Sequence, residues 1–240
     1  MLIIFSSPTF VKVKNLIMSK ENFLESTIGR KMVMGLTGLF LISFLVVHVS
    51  INCCIFLNDG GVTFNKASHF MSHNPVIRVM EIGLFVGFLL HIYLSLKLTL
   101  KNNKARPVKY QVTDGKSNSA WYSRSMGILG SLLLLFLVVH LANFWVPTKK
   151  AILNGQEHDT YANMKQIFSI EYWYLILIYL LGVISLAYHL MHGFQSAFQS
   201  LGINHRKYSP IIKQAGMWFS IIVPLLFALM PISMAFGLIK

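Results

Sequence analysis

Five long apolar runs, separated by short polar stretches, set the pattern of this chain. They cover approximately residues 32–57, 76–100, 121–146, 172–198 and 212–238. The hydrocarbon core of a bilayer is about 30 Å thick and takes roughly 20 apolar residues as a helix, so each run is long enough to cross it. Breakers stand between the runs: Asn58-Asp59-Gly60-Gly61, Asn74-Pro75, Arg106-Pro107, Pro147 and Ser209-Pro210. Trp121, Trp145, Tyr172 and Trp173 fall at the expected interfaces, where aromatic rings collect. Pro224 and Pro231 lie inside the fifth run, where each removes a backbone donor.

Composition agrees with the pattern. Hydrophobic residues make up 55% of 240 positions and charged residues 12%, with mean hydropathy +0.60. A soluble domain carries about 25% charged residues, so the expected class is an all-α integral membrane protein. The net charge of +13 then reads as topology and contact with the lipid surface, not nucleic-acid binding. Thirteen Lys and Arg residues fall in the N-terminal segment, the second connection and the fourth connection, against five in the other loops and at the C-terminus. The positive-inside rule places the N-terminus in the cytoplasm and the C-terminus outside. Residues 1–25 read as an N-terminal cytoplasmic segment without the features of a signal peptide, with Met18 a second candidate start. Residues 26–240 read as one five-helix transmembrane domain. The two cysteines, Cys53 and Cys54, are adjacent and form neither a CxxC nor a CxxCH motif.

The histidines carry the chemistry. FLVVHVSIN begins at Phe44, and FLVVHLANF begins at Phe136. Five of the nine histidines lie within the runs: His48, His91, His140, His189 and His192. Ionisable residues at membrane depth are rare and point to function. At 1.5 Å per residue, His48 and His140 lie about 24 and 28 Å from the inner ends of two parallel helices. His91 and His189 lie about 22 and 25 Å from the outer ends of the two helices that run the other way. Four helices thus carry one histidine each, in two same-level pairs near opposite faces. Facing neutral imidazoles in a bundle suit a six-coordinate haem, and Gly35, Gly38, Gly87, Gly127, Gly130, Gly182 and Gly193 would let a flat ring approach the backbones. Interhelical hydrogen bonding is the plainer reading, and a proton relay is another. A relay calls for intramembrane acids, and Glu81 is the single Asp or Glu within a run. Glu81 is a candidate for proton handling at a quinone, or a partner of Arg78. His69 and His73 have helical metal spacing in the first outer loop, with no third ligand evident in the sequence.

STIGRKMVMGLTGLFLISFLVVH (26–48), FLLHIY (88–93), SRSMGILGSLLLLFLVVHLANFW (123–145) and YHLMHGFQSAFQSLGINH (188–205) together resemble the single-chain, five-helix, di-haem cytochrome b subunit of succinate dehydrogenase and fumarate reductase, respiratory complex II. The resemblance runs from about residue 25 to the end. It implies two non-covalent b-type haems, an outer one on His48 and His140 and an inner one on His91 and His189. The fourth ligand of that family is followed four positions later by glycine, which selects His189 with Gly193 over His192. His192, Arg30, Lys31 and Arg124 become candidates for contacts to an inner haem propionate or a quinone. Some members of the wider family carry a glutamate two positions before the fourth-helix ligand; Ala187 stands there in this chain, so the resemblance offers no proton route at that position.

The implied protein is a multi-pass subunit of the bacterial inner membrane. It would anchor a flavoprotein subunit and an iron–sulfur subunit on the cytoplasmic face and pass electrons to a membrane quinone, expected to be menaquinone. It would serve as the electron-transfer subunit of the enzyme, with no succinate-oxidising site of its own. The alternatives are a di-haem b subunit for a hydrogenase or formate dehydrogenase, and a haem-free histidine-relay transporter.

Overall fold

The computed structural model describes residues 26–104 and 120–239. The N-terminal segment 1–25, Arg106-Pro107, Lys109, Lys116 and Lys240 lie outside the described residues. The described helices are α1 (Thr27–Asn52), α2 (Val62–His73), α3 (Pro75–Lys104), α4 (Trp121–Arg124), α5 (Met126–His140), α6 (Val146–Leu153), α7 (Thr160–Ile167), α8 (Trp173–Ser200) and α9 (Ser209–Ala235). No strand occurs among the described residues. Five segments are long and apolar enough to cross a membrane: Thr27–Leu57, Pro75–Asn102, Met126–Leu153, Ile170–Ser200 and Ser209–Ala235. This is the form of a multi-pass membrane protein, as the apolar runs predicted.

Local chemistry sets the starts of the helices. Ser26 Oγ accepts from the N–H of Gly29 at 2.9 Å and caps α1. Asn74 Oδ1 accepts from Val76 N at 2.9 Å, just ahead of α3, while Pro75 fits the first helical position. Asp159 Oδ1 accepts from Ala162 N at 2.9 Å and caps α7.

The third run departs from the expected boundary at Pro147. Helix continues through the proline to Leu153, by way of a π-helical segment at Leu141–Trp145. Proline offers no N–H to the carbonyl four residues back, and its ring crowds that carbonyl. The carbonyl in question belongs to Asn143. It accepts instead from Asn163 Nδ2 of α7 at 2.9 Å. A wider π turn and a side-chain donor from another element together carry the helix past a residue that ordinarily stops one.

α1, α3, α5 and α8 form a four-helix ring. α1 packs on α3 and α8, α5 packs on α8, and α3 meets α5 more lightly. α9 lies outside the ring, mainly against α8, with a lighter contact to α1. The diagonals, α1 with α5 and α3 with α8, make little or no close backbone approach. Close packing along the sides uses small residues. A Cβ on Gly35 would reach the Ala197 carbonyl at 2.9 Å, and one on Gly182 would collide with the Phe136 ring.

Two short helices absent from the apolar pattern, α2 and α7, cover one end of the ring. A cluster of buried apolar residues forms where they pack on the ring: Ile55, Phe64, Tyr161, Met164, Phe168 and Tyr179, with Met230 and Met234 of α9. Asn65 clamps the two helices. Its Nδ2 donates to Asp159 Oδ1 at 2.8 Å, and its Oδ1 accepts from Tyr161 N at 2.9 Å. The hydrogen bonds from Ala162 N and from Asn65 hold the Asp159 carboxyl below the usual carboxylate range.

Gly61 opens α2 at φ 81°, and a Cβ there would run into the Tyr161 ring. Gly61→Val should therefore unseat α7 from α2 and cost about 1–3 kcal/mol. A thermal midpoint in detergent equal to that of the parent chain would refute this.

Candidate functional site

The ring topology brings the membrane-depth histidines together in two pairs, one on each diagonal. His48 of α1 faces His140 of α5 with ring centres 5.7 Å apart and planes at 89°. His91 of α3 faces His189 of α8 with centres 6.4 Å apart and planes at 61°. All four residues are half-buried.

The two pairs occupy different levels. Gly38 of α1 lies beside His91: a Cβ there would stand 3.6 Å from His91 Cε1. Gly130 of α5 lies beside His189 in the same way, at 3.8 Å from Cε1. Ten residues separate Gly38 from His48, and ten separate Gly130 from His140. At 1.5 Å per residue the levels are about 15 Å apart. These two glycines leave open the backbone surface flanking the second pair of rings. Gly193 lies on that level too, its added Cβ 4.0 Å from His189 Cδ2.

Aromatic side chains wall the first level. Phe44 stacks on His48 at 5.3 Å, and Phe227 of α9 approaches the same ring at 5.5 Å. Phe136, Phe144 and Tyr179 surround His140 at 5.4–6.0 Å. Tyr179 and Phe144 belong to or border the core under α2 and α7. The covered end of the bundle therefore sits directly over His48 and His140.

The Nδ1 atoms are treated unequally. Thr37 Oγ1 stands 3.2 Å from His91 Nδ1. Its own hydrogen has carbonyl acceptors one turn back, Val33 O at 2.9 Å and Met34 O at 3.1 Å. A hydroxyl so used can accept from His91 Nδ1–H, which leaves the Nε2 lone pair bare. Asn52 Nδ2 lies 3.4 Å from His48 Nδ1 and donates to the His48 carbonyl at 2.8 Å. His140 Nδ1 and His189 Nδ1 are buried without a partner.

The remaining candidates are scattered. Arg30 is buried at the start of α1, where its Nε donates to Ser26 O at 3.3 Å. Lys31 and Arg124 are exposed at the same end of the bundle. The Trp121 ring packs edge-on to Tyr188, the neighbour of His189, and so sets the α4 segment beside α8. His192 is half-buried one turn beyond His189.

Glu81 is not an isolated acid. It accepts from Arg78 Nη1 at 2.6 Å, from Lys149 Nζ at 2.7 Å and from Trp145 Nε1 at 2.5 Å. Arg78 was visible as a partner in the sequence, three residues away on one helix. Lys149 and Trp145 were not, because the π segment and the passage through Pro147 deliver them to α3. Phe85 packs on the Trp145 ring at 5.2 Å, and Lys149 lies over its face at 5.5 Å.

Comparison with known proteins adds no relative: no family model, no curated protein and no solved structure matches the chain.

With side-chain exposures of 22–29%, the Glu81 cluster is partly desolvated. Glu81→Gln keeps its shape and removes the charge that two cations share. The expected cost is about 1–3 kcal/mol, read as a lower thermal midpoint together with a shift in Trp145 emission. An unchanged midpoint would show that solvent already screens the three charges.

Proposed function

We propose that this chain is the di-haem cytochrome b anchor of a succinate:quinone oxidoreductase. The observation that carries the reading is the arrangement of His48 with His140 and His91 with His189, one pair on each diagonal of the ring and one at each level. A metal–imidazole bond is about 2 Å long, and each ring centre lies about 1 Å beyond its nitrogen, so two imidazoles that would hold one ion between them need centres no farther apart than roughly 6 Å. The observed separations of 5.7 and 6.4 Å bracket that value.

Hydrogen-bonding partners support the same reading. A structural histidine in an apolar bundle normally finds a partner for each ring nitrogen. His140 Nδ1 and His189 Nδ1 have none, which argues against a purely hydrogen-bonding role for them, whereas Thr37 is placed to fix the His91 tautomer that leaves Nε2 free. Gly38 and Gly130 supply flat backbone beside the rings, where a side chain would obstruct a planar group. When bound, two b-type haems would supply one-electron transfer at two depths. The chain's own part would be to present His48, His91, His140 and His189 as neutral imidazoles, and to exclude water with Phe44, Phe136, Phe144 and Phe227. Arg30, Lys31 and Arg124, at the end nearer His91 and His189, would offer charge-assisted donors to propionates.

The sequence resemblance supplies the rest of the proposal: a flavoprotein and an iron–sulfur partner at the lysine-rich, cytoplasmic end, and menaquinone as the electron partner in the bacterial inner membrane. Two levels would let an electron cross part of the bilayer, where one charge moved through 100 mV is worth about 2.3 kcal/mol. Glu81, held by Arg78, Lys149 and Trp145 near the covered end, remains the candidate for handling a proton at a quinone.

The test is spectroscopic. Purified chain should show cytochrome b bands in a dithionite-minus-oxidised spectrum, and membranes should show those bands with succinate as reductant. His189→Ala should lose one haem, whereas His192→Ala should keep both. A haem-free wild-type chain would favour the transporter reading. Haem that dithionite reduces and succinate does not would favour a hydrogenase or formate dehydrogenase partner.

A further inference from the structure

The first connection carries His69 and His73 four residues apart, a spacing that puts both imidazoles on one face of α2. In sequence the pair lacks a third ligand. The fold brings a candidate into the same pocket. His158, from the turn between α6 and α7, lines the same pocket as His69 and His73, with Ser68, Ser72 and Thr160 around them. We propose that these three histidines form a binding site for a divalent cation of the class that prefers imidazole, Zn2+ foremost. The site is separate from the two histidine pairs of the bundle and does not depend on their role.

Three observations carry the inference. His158 Nε2 is buried and has no hydrogen-bond partner. A buried ring nitrogen in that state calls for a water or a metal. His73 Nδ1 lies 3.0 Å from the His69 carbonyl and 3.0 Å from Ser72 Oγ. Ser72 Oγ itself donates to that carbonyl at 3.1 Å, so His73 Nδ1–H is the natural second donor there. This is the arrangement that fixes a histidine tautomer and leaves Nε2 as a metal ligand. Finally, His158 is firmly placed. Its neighbour Asp159 accepts from Asn65 of α2 at 2.8 Å and from Ala162 N at 2.9 Å, so the turn that bears His158 is tied to the helix that bears the other two.

The His69 and His73 rings now stack face to face, with centres 3.9 Å apart and planes at 17°. In these rotamers no three His, Cys, Asp or Glu side chains among the described residues are grouped so as to hold a metal ion. His69 is exposed, so its ring has room to turn toward His158 while His73 keeps its Nδ1 contacts. Three neutral imidazoles leave a fourth tetrahedral position to water. The bound ion would pin α2 to the α6–α7 turn over the covered end of the bundle.

Calorimetric titration of the full chain in detergent, stripped with EDTA and then given ZnCl2, tests this. One saturable site per chain is expected. His158→Ala and, separately, His73→Gln should weaken it about tenfold or more, with unchanged far-ultraviolet circular dichroism. His205→Ala, in a different connection, should leave it intact. Zinc-edge X-ray absorption should report imidazole nitrogens at about 2.0 Å. Equal affinity in the parent chain, His158→Ala and His73→Gln would overturn the proposal, as would the absence of any saturable site below about 100 µM.

Discussion

Hydrocarbon offers no hydrogen-bond partners, so every backbone N–H and C=O that enters it must be satisfied by the protein. That constraint accounts for five long helices and for the special treatment of the places where helix geometry fails. Pro147 is the clearest case. Its missing donor leaves the Asn143 carbonyl without its usual partner, and the π segment with Asn163 of α7 resolves both the steric and the polar problem. The consequence extends beyond one carbonyl. The register change across Leu141–Trp145 lets Trp145 and Lys149 reach Glu81 on α3, and it does so immediately after His140.

The same constraint makes the histidines informative. An imidazole at depth is costly unless its nitrogens are used. Four side chains from four helices meet in pairs across the diagonals of one ring, away from the close contacts along its sides. Small residues serve both kinds of contact differently. Gly35 and Gly182 let neighbouring helices pack against each other, while Gly38 and Gly130 face histidine rings. The bundle is tight along its edges and leaves its diagonals to side chains.

The covered end adds a second layer of organisation. α2 and α7 bury Ile55, Phe64 and Tyr161 and close the bundle above His48 and His140. Their polar clamp, Asn65 with Asp159 and Tyr161 N, also fixes the turn that brings His158 to His69 and His73. The end that bears the lysines has no comparable layer among the described residues; Lys101 Nζ donates to Thr27 Oγ1 there at 3.3 Å and joins the end of α3 to the start of α1.

Apolar run length and the breakers between runs determined the number of crossing helices and their approximate limits, because a membrane helix satisfies its backbone within itself and needs no distant partner. Helix rise alone sorted His48, His91, His140 and His189 into two levels, since depth along a straight helix is a local quantity. What remained hidden depended on contacts between elements far apart in sequence. Depth paired the histidines of the two FLVVH words, but their place across a diagonal came from the packing, because azimuth around a bundle is decided by which helices pack. α2 and α7 are too short and too polar to stand out as apolar runs, and their stability comes from each other. Pro147 read as a stop because the donor that rescues Asn143 lies twenty residues away. The company kept by Glu81 and by His158 was likewise a tertiary decision, made where side chains from separate connections converge over one end of the ring.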